Sequence, residues 1–251
     1  MRHLVLSILL LACACLNLQP AIGATTKGVP RVVIEKRKVV IVRTGRLARE
    51  FPERKRAVVN YPIVRGPKNS EVLRKVRVLL NLKNVFDTSL EEYREDAWLT
   101  DFDYQVNYNQ NYILDITFTQ NGVGAYPDTH TKHFAINLKN GELIKASDAF
   151  KKESLDVLGA MVDKKLQAEV LEIIKQNSEH REAAQEMLTG QKIDADDLDD
   201  FSVSARGITF LYDAGFPHAT QAFQPEGRYF FSYAELKPFI APDGPLGIFI
   251  R

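Results

Sequence analysis

The sequence predicts an α+β fold: a mainly antiparallel sheet with helices packed on one face. Three observations carry this expectation. Several runs alternate apolar and polar residues, and they come in pairs joined by short polar turns. Other segments space their apolar residues three and four apart, as an amphipathic helix does. Finally, strand-like and helix-like segments group together instead of alternating, which disfavours a parallel α/β sheet. With 45% hydrophobic and 26% charged residues, the chain has the composition of a globular protein, not of a disordered one. No fixed-period repeat is present.

The first segment is read as a leader. Met1-Arg2-His3 supplies a positive start, residues 4–11 are apolar apart from Ser7, and Pro20-Ala21-Ile22-Gly23-Ala24 adds a breaker and small residues. This is the pattern of a signal peptide, with cleavage expected after Gly23 or Ala24. A membrane span is not expected, because spanning needs roughly 20 predominantly apolar residues and residues 13–19 dilute the run. Leu10-Leu11-Ala12-Cys13 also resembles a lipoprotein box, so anchoring through Cys13 stands as the alternative to a periplasmic or secreted protein. Cys13 and Cys15 are the only cysteines. After cleavage no disulfide framework and no thiol nucleophile would remain.

The elements follow in order. Residues 32–42 and 57–64 are rich in Val and Ile and read as strands, with Pro62 placing the second at an edge or bulge. A basic loop, residues 43–56, joins them. Ser70 is a candidate N-cap before Val72, Leu73, Val76, Leu79 and Leu80 at helical spacing. Ser89 to Glu92 matches a capping box. Phe102, Tyr104, Val106 and Tyr108 alternate, as do Tyr112, Leu114, Ile116 and Phe118, so a hairpin is expected around residues 109–111. Residues 130–138 form a third strand, and Asn140-Gly141 is the expected two-residue turn to a fourth. Residues 154–176 make the longest helix and 179–188 another, closed by Gly190. Residues 194–200 read as an acidic loop. A hairpin around Arg206-Gly207, a strand at 229–233 and a helical turn at 234–240 complete the chain. The organisation is a signal peptide (1–23), a basic strand-and-loop extension (24–56), an α+β domain (57–240) and a tail (241–251).

Charge is segregated. Residues 27–83 hold 17 Lys/Arg against 4 Asp/Glu, and residues 84–251 hold 15 against 28, within a net charge of +1. This is either a basic face for an anionic polymer or a basic layer paired internally with the acidic remainder. An exported, near-neutral chain is a poor match for nucleic acid.

Common catalytic signatures are missing: no G-x-S-x-G, S-x-x-K, H-E-x-x-H, P-loop or G-x-G-x-x-G occurs. No cofactor is expected. His130 and His133 have a metal-like spacing, but residues three apart on a strand face opposite sides. Asp194 to Asp200 fails the EF-hand pattern, with Leu198 at position five and Asp199 where Gly belongs. Late aromatics, including Phe210, Phe216, Phe223 and Tyr229, divide between core and the loop Gly215-Phe216-Pro217-His218, where exposed rings would stack on sugars or anchor a protein.

Several short motifs occur in order: Asn60-Tyr61-Pro62, Gly124-Ala125-Tyr126-Pro127, Asn137-Leu138-Lys139-Asn140-Gly141-Glu142-Leu143 and Ser147-Asp148-Ala149-Phe150, then Gly207-Ile208-Thr209-Phe210. Across residues 57–240 the chain resembles the RsiV-like domain family of bacterial envelope proteins, formerly a domain of unknown function. The resemblance implies an α+β domain that binds rather than catalyses, lysozyme being one ligand in the family, and a free-standing sensory-type domain here. Tyr126 departs from the family's His, and residues 213–218 depart from its loop. The expected contact surface is Tyr126, Asp128, His130, Phe216 and His218. Its expected partner is a cell-wall glycan or a wall-active protein such as lysozyme. The alternatives are an envelope hydrolase acting on peptidoglycan through unrecognised carboxylates and a structural envelope protein.

Overall fold

A computed structural model describes residues 28–96 and 98–251. The expected leader, its cleavage at Gly23 or Ala24 and the lipidation alternative at Cys13 lie outside the described residues. The fold is α+β. In chain order it comprises β1 (Val33–Val42), α1 (Gly45–Glu50), β2 (Arg56–Arg65), α2 (Glu71–Leu79), α3 (Leu82–Phe86), α4 (Leu90–Glu95), β3 (Leu99–Gln110), β4 (Ile113–Val123), β5 (Pro127–Asn137) and β6 (Glu142–Leu143). Then come α5 (Ala146–Ala149), α6 (Leu155–Gln176), α7 (Arg181–Leu188), β7 (Phe201–Val203), β8 (Gly207–Leu211), β9 (Arg228–Ser232) and α8 (Tyr233–Leu236). Among the described residues, no helix is long and apolar enough to cross a membrane.

Two sheets organise the molecule. β1 to β6 form one in sequential order, and β7, β8 and β9 form a second. Every neighbouring pair is antiparallel except β2 and β3, which run parallel over Val58–Val59 and Asp101–Phe102. That short contact explains how β2 carries a proline. Pro62 lies beyond the stretch paired with β3, so the strand is locally an edge there.

Each sheet has its own core. Leu114, Ile116 and Phe118 of β4 face one side of the large sheet and pack with Val72, Val76, Leu82 and Val85 from α2 and α3. Each such fully buried side chain contributes about 1.5–3 kcal/mol. The capping groups hold these short helices in place. Ser70 Oγ accepts from Leu73 N, and Ser89 with Glu92 forms the expected capping box. The alternate β4 residues, Ile113 and Asp115, face the other side, where β7 lies across β3, β4 and β5. The opposite face of the small sheet, with Phe201, Phe210 and Phe231, packs with Leu158, Val162 and Leu166 of α6.

A bulge assigns one aromatic to the second core. The register of β3 slips between Val106 and Tyr108, so Tyr108 turns away from the side of Phe102 and joins the core of the small sheet.

Four sequence expectations need correction. The β3–β4 turn is Asn111-Tyr112, with φ of 55° and 63°, not a polar link centred on Gln110, which pairs with Ile113. Asn140-Gly141 is not a two-residue turn. Asn137 pairs with Glu142 across a longer connection in which only Gly141 has positive φ, because Asn140 instead accepts from Glu142 N at 3.1 Å. Residues 43–56 are not simply a loop, since they hold α1 and a 3-10 turn. The acidic segment is likewise a 3-10 turn, Ala195–Asp199, opened by an Asp194–Asp197 capping box.

Candidate functional site

β5 and the connection between β8 and β9 lie side by side and enclose two neighbouring hollows on one surface. The connection is braced from within. Asp213 Oδ1 accepts from Gly215 N at 2.9 Å and from Gln224 Nε2 at 2.9 Å, while Gln224 Oε1 accepts from Phe216 N at 3.2 Å. Gly215 has φ of 65°, a left-handed turn that a side chain would strain. The result is a fixed loop presenting Phe216 and His218 towards β5.

The first hollow, about 300 Å³, is lined by Tyr126, Pro127 and Asp128 on one side and by Phe216, His218 and Gln221 on the other. The rings of Tyr126 and His218 stack at 4.0 Å between centroids and 17° between planes. Tyr126 remains 60% exposed, so the pair forms an open aromatic surface and not a core contact. Four of the five residues expected at the contact surface therefore meet in one place. His130 does not line the hollow; its Nε2 lies 2.9 Å from Asp128 Oδ2, an ion pair only when the imidazole is protonated.

The second hollow, about 270 Å³, is polar. Thr129, Thr131 and His133 of β5 line one wall, and Asp200, Asp213 and Arg228 are among the residues of the other. Beneath it lies a hydrogen-bonded network joining the two sheets. Asp115 is fully buried. Its Oδ1 accepts from Asn107 Nδ2 at 2.6 Å and Ser202 Oγ at 2.8 Å, and its Oδ2 accepts from Val203 N at 2.8 Å. Asn107 Nδ2 also donates to Thr117 Oγ1 at 2.8 Å, and Thr117 Oγ1 shares a hydrogen bond of 2.9 Å with His133 Nδ1, whose direction follows the imidazole tautomer.

Burial dominates the electrostatics. Desolvation pushes the Asp115 carboxyl up to about 6 despite its three donors. It pushes His133 down to about 4, helped by the nearby Arg228 charge. Asp200, with solvent at its tip, is also raised to about 6, first by the enclosing protein and then by the charge of Asp115.

His130 and His133 sit on opposite faces of β5, so they share no ligand position. Among the described residues, no group of three or more His, Cys, Asp or Glu is arranged to hold a metal ion. Sequence reasoning missed Asn107, Asp115, Thr117 and Asp200. On β3 and β4 these residues occupy the polar phase of an alternating run, which is indistinguishable from a solvent face until a second sheet is found covering it.

Among the described residues, the basic segment pairs with the acidic remainder at two places, Lys36 to Asp103 and Lys75 to Glu142, both at 2.7 Å or less. Arg43 behaves differently. It is 1% exposed and faces carbonyls: Nη1 donates to Arg54 O at 2.5 Å, and Nη2 to Tyr93 O and Asp96 O at 2.7 Å and to Leu99 O.

No protein-family model matches the chain, and no curated protein does. Solved structures share the fold. A DUF3298 family protein from Pseudomonas aeruginosa PAO1 superposes with a TM-score of 0.53 at 12% identity, covering 84% of this chain and 95% of its own. A member of the same family from Bacteroides fragilis NCTC 9343 gives 0.51 at 14% identity, covering 88% and 98%. At these identities the likeness concerns the fold alone.

Proposed function

We propose that this chain is an exported, non-catalytic binding module of the cell envelope, whose ligand is a cell-wall glycan or a wall-active protein such as lysozyme. The observation that carries the reading is the open Tyr126–His218 stack beside Asp128 and Phe216. A fixed pair of exposed rings with an adjacent carboxylate offers an apolar face and a directional acceptor, the combination used for sugar stacking and for protein anchors. The sequence resemblance to the RsiV-like family supports the same reading.

The test is retention of residues 24–251 on insoluble peptidoglycan and on immobilised lysozyme at low and high salt. Saturable retention on either, lost in Tyr126→Ala and His218→Ala, is the expected result. Equal retention of both variants would sink the proposed surface, and no retention on either support would sink the proposed ligands.

A second reading, an envelope hydrolase acting on peptidoglycan, is favoured by one observation. Asp200, raised to about 6, lines the same groove as Asp213 and Glu226, and a carboxyl raised this far keeps a protonated fraction in mildly acidic solution that a general acid can use. Release of soluble fragments from peptidoglycan, abolished by Asp200→Asn, would support it over the binding module.

A further inference from the structure

The large sheet ends in an incomplete edge. β5 pairs with β4 along its whole length, from Pro127 opposite Val123 to Asn137 opposite Ile113. On its outer side it pairs with β6 only at Ile136 and Asn137. The direction of the remaining backbone groups follows from one hydrogen bond. Ile144 N donates to Ala135 O at 2.8 Å, so Ala135 faces outward. Each strand residue points its N–H and C=O to the same side, and alternate residues point the same way. Thr129, Thr131 and His133 therefore also face outward, and among the described residues their backbone N–H and C=O groups have no partner.

The same three residues line the polar hollow, so the open edge and the groove form one feature. The facing wall carries the carboxylates of Asp200, Asp213 and Glu226 against the single guanidinium of Arg228, while His133 is held neutral near pH 7. Asp200 and Glu226 enter no salt bridge among the described residues. A free strand edge recognises an extended backbone, and a carboxylate wall selects a cationic side chain.

We propose that the outer edge of β5 captures an extended polypeptide segment, adding it to the sheet as a further strand with a Lys or Arg side chain directed at the Asp200–Glu226 wall. This rests on the binding-module reading and narrows its partner to a protein. Backbone pairing supplies affinity that depends little on sequence, and the acidic wall supplies selection.

The probe is a synthetic peptide of alternating Lys and Thr residues. It is compared with its Glu–Thr counterpart and with two versions N-methylated at alternate amides, one of which removes every donor on the pairing edge. Amide hydrogen exchange of the purified protein, followed by NMR, is the readout. The Lys–Thr peptide is expected to slow exchange at Thr129, Thr131 and His133 by about tenfold or more. One methylated version should lose this effect and the Glu–Thr peptide should not show it. Thr131→Pro removes the central outward donor without breaking a β4 bond, so it should weaken peptide binding about tenfold.

No protection at these three amides, or equal protection by both methylated peptides, overturns the proposal, and the peptide arms decide it even if Thr131→Pro fails to fold. Failure of the two readings is distinguishable. Retention on peptidoglycan that depends on Tyr126, with no edge protection by peptide, removes the strand-addition inference alone. Edge protection with no retention on either support removes the proposed wall ligands and leaves the edge assigned.

Discussion

Arg43 places a permanent charge in the interior and neutralises it with backbone dipoles instead of a carboxylate. Its acceptors come from the turn at Arg54 and from the link between α4 and β3 at Tyr93, Asp96 and Leu99, so one side chain ties four separate backbone positions together. Desolvation lowers its pKa, and Asp96 opposes that shift. Arg43→Met would leave these carbonyls unpaired, and we expect a loss of about 3 kcal/mol or more in urea unfolding. Arg43→Lys should rescue little, since a point-like ammonium cannot replace the planar fork. Asp115 and His133 make a linked pH prediction. Asp115, raised to about 6, contributes stability that is fully present below its ordinary range and lost as pH rises through about 6. His133, lowered to about 4, contributes stability that is present above its ordinary range and lost as pH falls through about 4. The two oppose each other across the mildly acidic range. Relative to the native protein, His133→Asn should gain stability between about pH 7 and about pH 5, and Asp115→Asn should lose it over the same range. Urea midpoints at several pH values check both signs.

At the level of elements, hairpins and caps differ in how visible they are beforehand. The capping box at Ser89 is local, since the donor and acceptor of each bond lie within four residues, and it forms as expected. Ser89→Ala should cost about 1 kcal/mol in chemical denaturation. The β3–β4 turn is less local. Register is set by Gln110 opposite Ile113, which forces Asn111 and Tyr112 into positive φ although Tyr is a poor residue for it. The chain accepts that strain because Tyr112 O receives Leu138 N at 2.7 Å and Tyr112 N reaches Pro30 O at 3.0 Å. Tyr112→Gly keeps both backbone bonds and relieves the strain, at the loss of a half-exposed ring near Lys139. We expect a net gain of up to about 1 kcal/mol, read as a rise in urea midpoint. Asn140-Gly141 looks the better turn in sequence, but side-chain capping by Asn140 draws its own residue out of the left-handed region.

Across the whole molecule, two sheets with separate cores are joined through Asp115, Asn107 and Ser202. Because that joint is buried and polar, the cores should unfold together. Trp98 fluorescence reports the first core and the NMR signals of Leu158, Val162 and Leu166 report the second; coincident transitions are expected. In Ser202→Ala, which removes one donor to Asp115, both transitions should shift together by about 1 kcal/mol. The surface hollows are different in kind. Tyr126 and His218 are exposed and support no core, so Tyr126→Ala and His218→Ala should leave both transitions within about 0.5 kcal/mol of the native protein while altering ligand retention.

The sequence by itself determined the α+β class, most strand and helix positions, most caps and the edge character of Pro62, but not the bulge that turns Tyr108 to the second core. These depend on periodicity and on groups a few residues apart, which a linear reading captures. It also singled out Tyr126, Asp128, His130, Phe216 and His218 as a contact surface, although not that the Tyr126 and His218 rings would stack or that His130 would lie outside the hollow. Only the tertiary structure decided the rest. Whether the polar phase of β4 faces water or a second sheet depends on where β7 docks, some 90 residues away in the chain. Whether Arg43 is a surface charge or a buried anchor depends on carbonyls up to 56 residues distant. Whether β5 ends the sheet or lies inside it depends on β6 being only two residues long. In each case the deciding partner is non-local, and a residue's own neighbours carry no trace of what will cover it.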